Sequence, residues 1–268
     1  MMLLLLKSLL TISLDNERGK KLEKELGDNC TYFSVDVCHE ANIKEAISAV
    51  IKRFNKININ VNCAGIALAE KTLGKDGPHD LTSFKRIIDV NLIGTFNILR
   101  LCAEQMAKNS IDNNQEKGII INTASVAALE GQKGQVAYAA SKGGVAAMTL
   151  PIARDLARDH IRCGCIAPGL FLTPMFEGLG EEVCETLAKD VIFPKRLGNA
   201  EEFAQYAVQI VENQYMHSGL KKKLVFDIKN FSKFKDKIIY ILVQNLPTNL
   251  HDISKIKNKV EKGNRTID

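Results

Sequence analysis

No stretch of this 268-residue chain approaches the ~20 consecutive apolar residues that a membrane-spanning helix needs; the longest run, Met1 to Leu6, ends at Lys7. No helical membrane anchor is therefore expected. None of the seven cysteines forms a Cys-x-x-Cys pair, and Cys163 and Cys165 stand only two apart. An odd count without that spacing argues against a disulfide framework or a zinc site and suits reduced thiols in a cytosolic or matrix compartment. His39, His79, His160, His217 and His251 are too dispersed to ligate a metal and are expected on the surface or in loops. An Arg-rich transit segment is also lacking, and the Leu-rich residues 1–14 lack the positive lead-in of a signal peptide.

What is present is ordinary globular composition, 46% hydrophobic and 25% charged. The net charge of +5 is confined to one end: residues 220–268 hold 12 Lys plus Arg against 5 Asp plus Glu. The remaining body is slightly acidic, which excludes a nucleic-acid-binding reading for it. The tail has no Ala and a single Gly, and its lysines are mixed with Ile, Phe and Leu rather than set among stacking aromatics. It is read as a solvated extension rather than a nucleic-acid tether.

Along the body, short β-branched runs at 31–35, 57–61, 119–123 and 161–167 read as strands, with a further candidate at 9–14. Helical apolar spacing covers 41–53, 84–107, 138–158 and 200–212, and the charged stretch 16–25 is compatible with a helix. This alternation predicts an α/β fold, a Rossmann-like doubly wound parallel sheet. The expected division is a body over residues 1–219 and a divergent tail over 220–268. Two strand-like pieces stand out in that tail, 223–228 and 238–243.

Three clusters follow predicted strands, and strand C-terminal ends are where open α/β sheets bind ligands. Asn62-Cys63-Ala64-Gly65 is small enough for close backbone approach to a flat ligand, or is a simple turn. Asn122-Thr123-Ala124-Ser125 is the second cluster, and Tyr138-Ala139-Ala140-Ser141-Lys142 is the third. Tyr138 and Lys142 are four apart and share a helix face. A tyrosine, with an ordinary pKa of ~10, is a poor base, and a neighbouring ammonium is expected to favour its phenolate. Tyr138 could then exchange a proton with a substrate oxygen to which Ser125 also hydrogen-bonds.

These motifs, in this order, resemble the short-chain dehydrogenase/reductase family. The resemblance implies that Tyr138 and Lys142 form the family's Tyr-x-x-x-Lys pair, with Ser125 upstream and Asn91 as the fourth catalytic residue. It further implies a small-molecule substrate and NAD as cofactor. Asp15 would bind the adenosine ribose and disfavour NADP, and Asp36 and Val37 would flank the adenine. Cys63, Ala64, Gly65, Phe171 and Thr173 would line the rest, with Ser125, Tyr138 and Lys142 also touching the cofactor. Residues 61–67, 89–97, 118–128, 141–157 and 166–171 resemble a branch acting on 3-hydroxyacyl-CoA or hydroxysteroid secondary alcohols. That branch implies a homo-oligomer, a tRNA-processing complex as a further partner, and the mitochondrial matrix, or the cytoplasm if the altered N-terminus is genuine. The substrate lid is expected at 174–194.

Against this, no glycine precedes Gly19. The family's first strand, glycine-rich turn and first helix therefore have no counterpart at the start of the chain. That turn normally neutralises the pyrophosphate. The strand is the central one. Five buried apolar residues at roughly 1.5–3 kcal/mol each amount to about 8–15 kcal/mol, comparable with a whole domain's stability of ~5–15 kcal/mol. Two accounts are open: the run 238–243 takes the vacated central place, or the sequence is an incomplete gene model. Function divides likewise between a working dehydrogenase and a non-catalytic scaffold.

Overall fold

Runs of Ile and Val that are apolar at consecutive positions need cover on both faces, and helices on either side of a parallel sheet supply it. The computed structural model describes residues 8–173, 180–216, 220–222 and 239–244. Its strands are β1 (Ser8–Ser13), β2 (Cys30–Ser34), β3 (Ile59–Cys63), the hairpin strands β4 (Leu73–Gly74) and β5 (Gly77–Pro78), β6 (Gly118–Thr123), β7 (Ile161–Ala167), β8 (Leu220–Lys222) and β9 (Ile239–Gln244). The helices are α1 (Asn16–Leu26), α2 (Glu40–Phe54), α3 (Leu81–Ile88), α4 (Thr95–Met106), α5 (Ala127–Glu130), α6 (Val136–Leu156), α7 (Glu181–Lys189) and α8 (Ala200–Glu212). A π-helical turn, Asp89–Gly94, joins α3 to α4, so the single helix expected over 84–107 is one rod with an internal bulge.

Seven strands form the main sheet in the order β2-β1-β9-β3-β6-β7-β8, every pair parallel. The centre of the sheet comes from the tail. β9 pairs with β1 from Ser8↔Ile239 to Ser13↔Gln244, and with β3 from Ile59↔Tyr240 to Cys63↔Gln244. The run expected at 238–243 thus stands in the vacated central position. The other tail piece, 223–228, lies outside the described residues; the strand paired to β7 is β8, just before it. Two strands from residues beyond 219, β8 and β9, thus lie in the same sheet.

The two faces of the sheet are covered differently. Ile59, Val61, Ile119, Ile121 and Ile166 pack on Tyr206, Ala207 and Ile210 of α8, with Leu22 and Leu26 of α1 beside them. On the opposite face Ile120 and Cys163 meet Ile43 and Val50 of α2, Leu99 and Met106 of α4, and Ile152 of α6. Gly94 lies so close to Val37 that a Cβ there would overlap the valine Cγ2.

Two polar devices brace this core. Asn60, Asn62 and Asn122 are buried on the second face and satisfy one another. Asn62 Nδ2 donates to Asn60 Oδ1 at 2.8 Å and to Asn122 Oδ1 at 2.9 Å, and Asn60 Nδ2 returns a bond to Asn62 Oδ1 at 3.1 Å. A fully paired amide ladder is tolerable inside a sheet where a lone amide is not. Arg162 of β7, with its side chain 10% exposed, pairs with Glu116 and donates to the carbonyls of Ile210 and Val211 at 2.8 Å each. It thereby closes the C-terminal end of α8.

Candidate active site

Parallel strands deliver all their C-terminal ends to one edge, and the sequence clusters arrive there together. Asp15 follows β1, Asp36 follows β2, Cys63 ends β3, Ser125 follows β6 and Pro168 follows β7. α6 begins close by and carries Tyr138 and Lys142 two residues and six residues beyond its start at Val136.

Lys142 is 4% exposed, and its ammonium donates to the carbonyl of Thr123 at 2.7 Å. Burial pulls its pKa down from 10.5 to about 8. The ammonium lies 5.9 Å from the centroid of the Tyr138 ring. Gly65 closes the other side: a Cβ there would sit 3.4 Å from both Lys142 Nζ and Asn91 Oδ1. A side chain there would be in ordinary contact with both groups, so Gly65 stands directly beside Lys142 and Asn91.

The expected electrostatics at Tyr138 need correction. Its pKa is raised, burial being the larger cause, with the hydrogen bond to Ser125 pulling the other way. Ser125 Oγ also accepts the N–H of Ala127 at 3.1 Å, which orients the hydroxyl.

Asn91 has 0% exposure and occupies the π turn. Its backbone carbonyl accepts Thr95 Oγ1 at 2.7 Å. Its side chain accepts from Ile66 N–H at 2.8 Å and donates to Ile66 O at 2.9 Å and to Ser141 Oγ at 3.0 Å. Ser141 in turn donates to the carbonyl of Tyr138 at 2.7 Å. Ser141 and Thr123 are thus the linking residues that sequence reasoning did not single out. The signal for Ser141 was its polarity at a fully buried helix position.

The remaining candidates divide. Cys63 Sγ lies 3.6 Å from Thr123 Oγ1, its thiol pushed up by burial, and Ala64 is buried beside it. Asp15 caps α1 by accepting Arg18 N–H at 3.0 Å, and Asp36 accepts Cys38 N–H at 2.9 Å; both carboxylates stand at the edge where the strands end. The Val37 side chain is wholly buried in the core beside Gly94. Phe171 bridges to Gly198 and packs edge-on to Phe203 at 6.3 Å, and Thr173 is half-buried next to it. Residues 174–179 of the expected lid lie outside the described residues, and 181–189 form α7. His79 is in a loop as expected, yet its side chain is only 10% exposed.

A Tyr beside a buried Lys, an adjoining Ser and an Asn in a helical bulge, at the strand ends of a doubly wound sheet, define an oxidoreductase of the short-chain type. The profile of the short chain dehydrogenase family matches residues 6–184, and the chain belongs to that family. It is 49% identical over 212 residues to 3-hydroxyacyl-CoA dehydrogenase type-2 of Homo sapiens, covering 78% of this chain and 81% of that protein. The same enzyme of Drosophila melanogaster is 44% identical, covering 78% and 83%. The crystal structure of 3-hydroxyacyl-CoA dehydrogenase type-2 from Mycobacterium avium superposes with a TM-score of 0.75 at 34% identity, over 80% of this chain and 92% of that one. The motif-based resemblance is borne out, and the protein is an enzyme by family. Enzymes of this family generally use a nicotinamide cofactor. Among the described residues, no helix is long and apolar enough to cross a membrane.

Proposed function

We propose that the chain interconverts a secondary alcohol and a ketone on 3-hydroxyacyl-CoA or hydroxysteroid substrates, with NAD as the hydride carrier. The observation that carries this is the closed network from Asn91 through Ser141 to Tyr138, faced by Ser125 and Lys142.

The residues fit the cofactor at both its ends. Gly65 leaves room that a Cβ would fill beside Lys142 and Asn91, and Asp15 presents a carboxylate at the end of β1. A carboxylate there pairs with ribose hydroxyls and repels an added phosphate, which favours NAD over NADP. Bound NAD would accept or return the hydride. Tyr138 moves the proton: its raised pKa keeps the phenol protonated, suited to donating to the substrate oxygen during ketone reduction. Ser125 donates a hydrogen bond to that oxygen. Lys142 would hold the nicotinamide ribose, and Asn91, fixed by the backbone of Ile66, would anchor a water for proton relay. Asp36, the Val37 backbone, Cys63, Ala64, Phe171 and Thr173 complete the proposed cofactor lining.

The same reading includes a cofactor-binding body over residues 1–219 followed by a divergent tail from 220, a homo-oligomer, and placement in the mitochondrial matrix. Tyr138→Phe is expected to lower kcat by about 10²–10⁴-fold, the usual worth of a positioned general acid, with little change in NADH affinity. Equal turnover by the variant would sink the mechanism. The alternative reading is a non-catalytic scaffold role, as in a tRNA-processing complex. NADH fluorescence titration separates the two, because the scaffold reading expects no saturable binding.

A further inference from the structure

The loop after β3 carries a carboxylate that this reaction does not use. Glu70 N–H donates to the carbonyl of Gly134 at 2.8 Å, tying its loop to the one that leads into Tyr138. Its side chain accepts Asp80 N–H at 2.7 Å and the Ser83 hydroxyl at 2.8 Å, so the same residue grips the first turn of α3. Those bonds, the Asp80 N–H first, hold its carboxyl below the usual range. The His79 ring lies 3.8 Å from Glu70 Oε2 and edge-on to Phe84, with neither ring nitrogen hydrogen-bonded. Gly134 has φ +85°, a backbone conformation that side chains strain, and it lies directly against Glu70 N.

Between the two joined loops is a cavity of about 450 Å³ whose lining includes Lys71, Leu73, Gln132, Gln135 and Ala139. Ala139 is the neighbour of Tyr138 in the first turn of α6.

We propose that Glu70 is a positioning residue: its carboxylate fixes the 70–80 loop on the first turn of α3, and that loop, through the Glu70 main-chain N–H, holds Gly134 and so the first turn of α6, and with it the Tyr138 hydroxyl. The proposal rests on the oxidoreductase reading for its kinetic consequence alone. No proton passes to Glu70, which acts through where it holds Tyr138.

The test uses the full chain with Glu70→Ala and Glu70→Gln. In Glu70→Ala, amides of residues 131–139 exchange with solvent about tenfold faster while those of β6 and β7 are unchanged. In the same variant kcat/KM falls about tenfold, because small displacements of a reacting group are costly, and the NADH dissociation constant holds within about twofold. Glu70→Gln keeps a carbonyl acceptor for Asp80 N–H and recovers most of both effects. Unchanged exchange at 131–139 overturns the proposal, as does acceleration spread evenly over the sheet or a matching loss of NADH affinity. Should the parent chain show no turnover, local acceleration in Glu70→Ala still supports the lock and the oxidoreductase reading fails by itself.

Discussion

Replacing Lys142 with methionine, a side chain of similar length, should stabilise the fold at neutral pH. The native ammonium is 4% exposed and its pKa falls from 10.5 to about 8, burial being the main cause. At ~1.4 kcal/mol per pH unit, keeping the charge inside costs about 3 kcal/mol wherever both states are protonated, that is, below pH 8. Methionine removes that cost and forfeits the 2.7 Å bond to Thr123 O, worth roughly 1.5–3 kcal/mol for a charged donor. The net gain is up to about 1–2 kcal/mol at pH 7. Between pH 8 and 10.5 the unfolded chain holds its proton while the native lysine releases it, so the parent protein gains stability with rising pH. The advantage of Lys142→Met should therefore shrink across that window and reverse above it. Urea denaturation of both proteins at pH 7, 9 and 10.5, compared as a difference so that other titrating groups cancel, measures this directly. A gap that stays flat with pH, or a variant less stable at pH 7, refutes the reasoning.

Other outcomes follow from the packing. Arg162→Ala strands the largely buried carboxylate of Glu116 and uncaps α8, and should cost about 3–5 kcal/mol by chemical denaturation. Gly94→Ala drives a methyl into Val37 and should cost about 1–3 kcal/mol, whereas Gly169→Ala, with open space around it, should be far milder; similar midpoints would contradict the packing described. Glu202, held down to about 2 chiefly by its bonds with Arg196, also accepts Asn199 N–H. Its stabilisation is present above the ordinary glutamate range and lost as pH falls through that range toward 2, so Glu202→Gln should narrow its stability gap to the parent protein over that interval. The pair is part-exposed and solvent-screened, so the gap is small and calls for denaturation at several pH values.

Much of the architecture was legible because burial on both faces writes continuous apolar runs. The strand expected at 161–167 and the helix at 200–212 are observed with those limits. The bulge at 89–94 was not legible, since a one-residue insertion leaves apolar spacing almost intact and is fixed by Thr95 and Asn91 in three dimensions. At the site, spacing put Tyr138 and Lys142 on one helix face, but the expected lowering of the Tyr138 pKa is replaced by a rise. Proximity in sequence says nothing about water, and burial dominates both groups.

The position of β9 bears on how the chain reaches its native state. Its hydrogen bonds join residue 8 to residue 239 and residue 59 to residue 240, so the middle of the sheet is the last part a ribosome delivers. Until then the edges of β1 and β3 face each other across an open seam, and loop closure over most of the polypeptide must precede any reward. Assembly by gradual growth from the nascent end is thereby replaced by a late insertion. The interval before it is when an emerging molecule most needs shelter from other open edges.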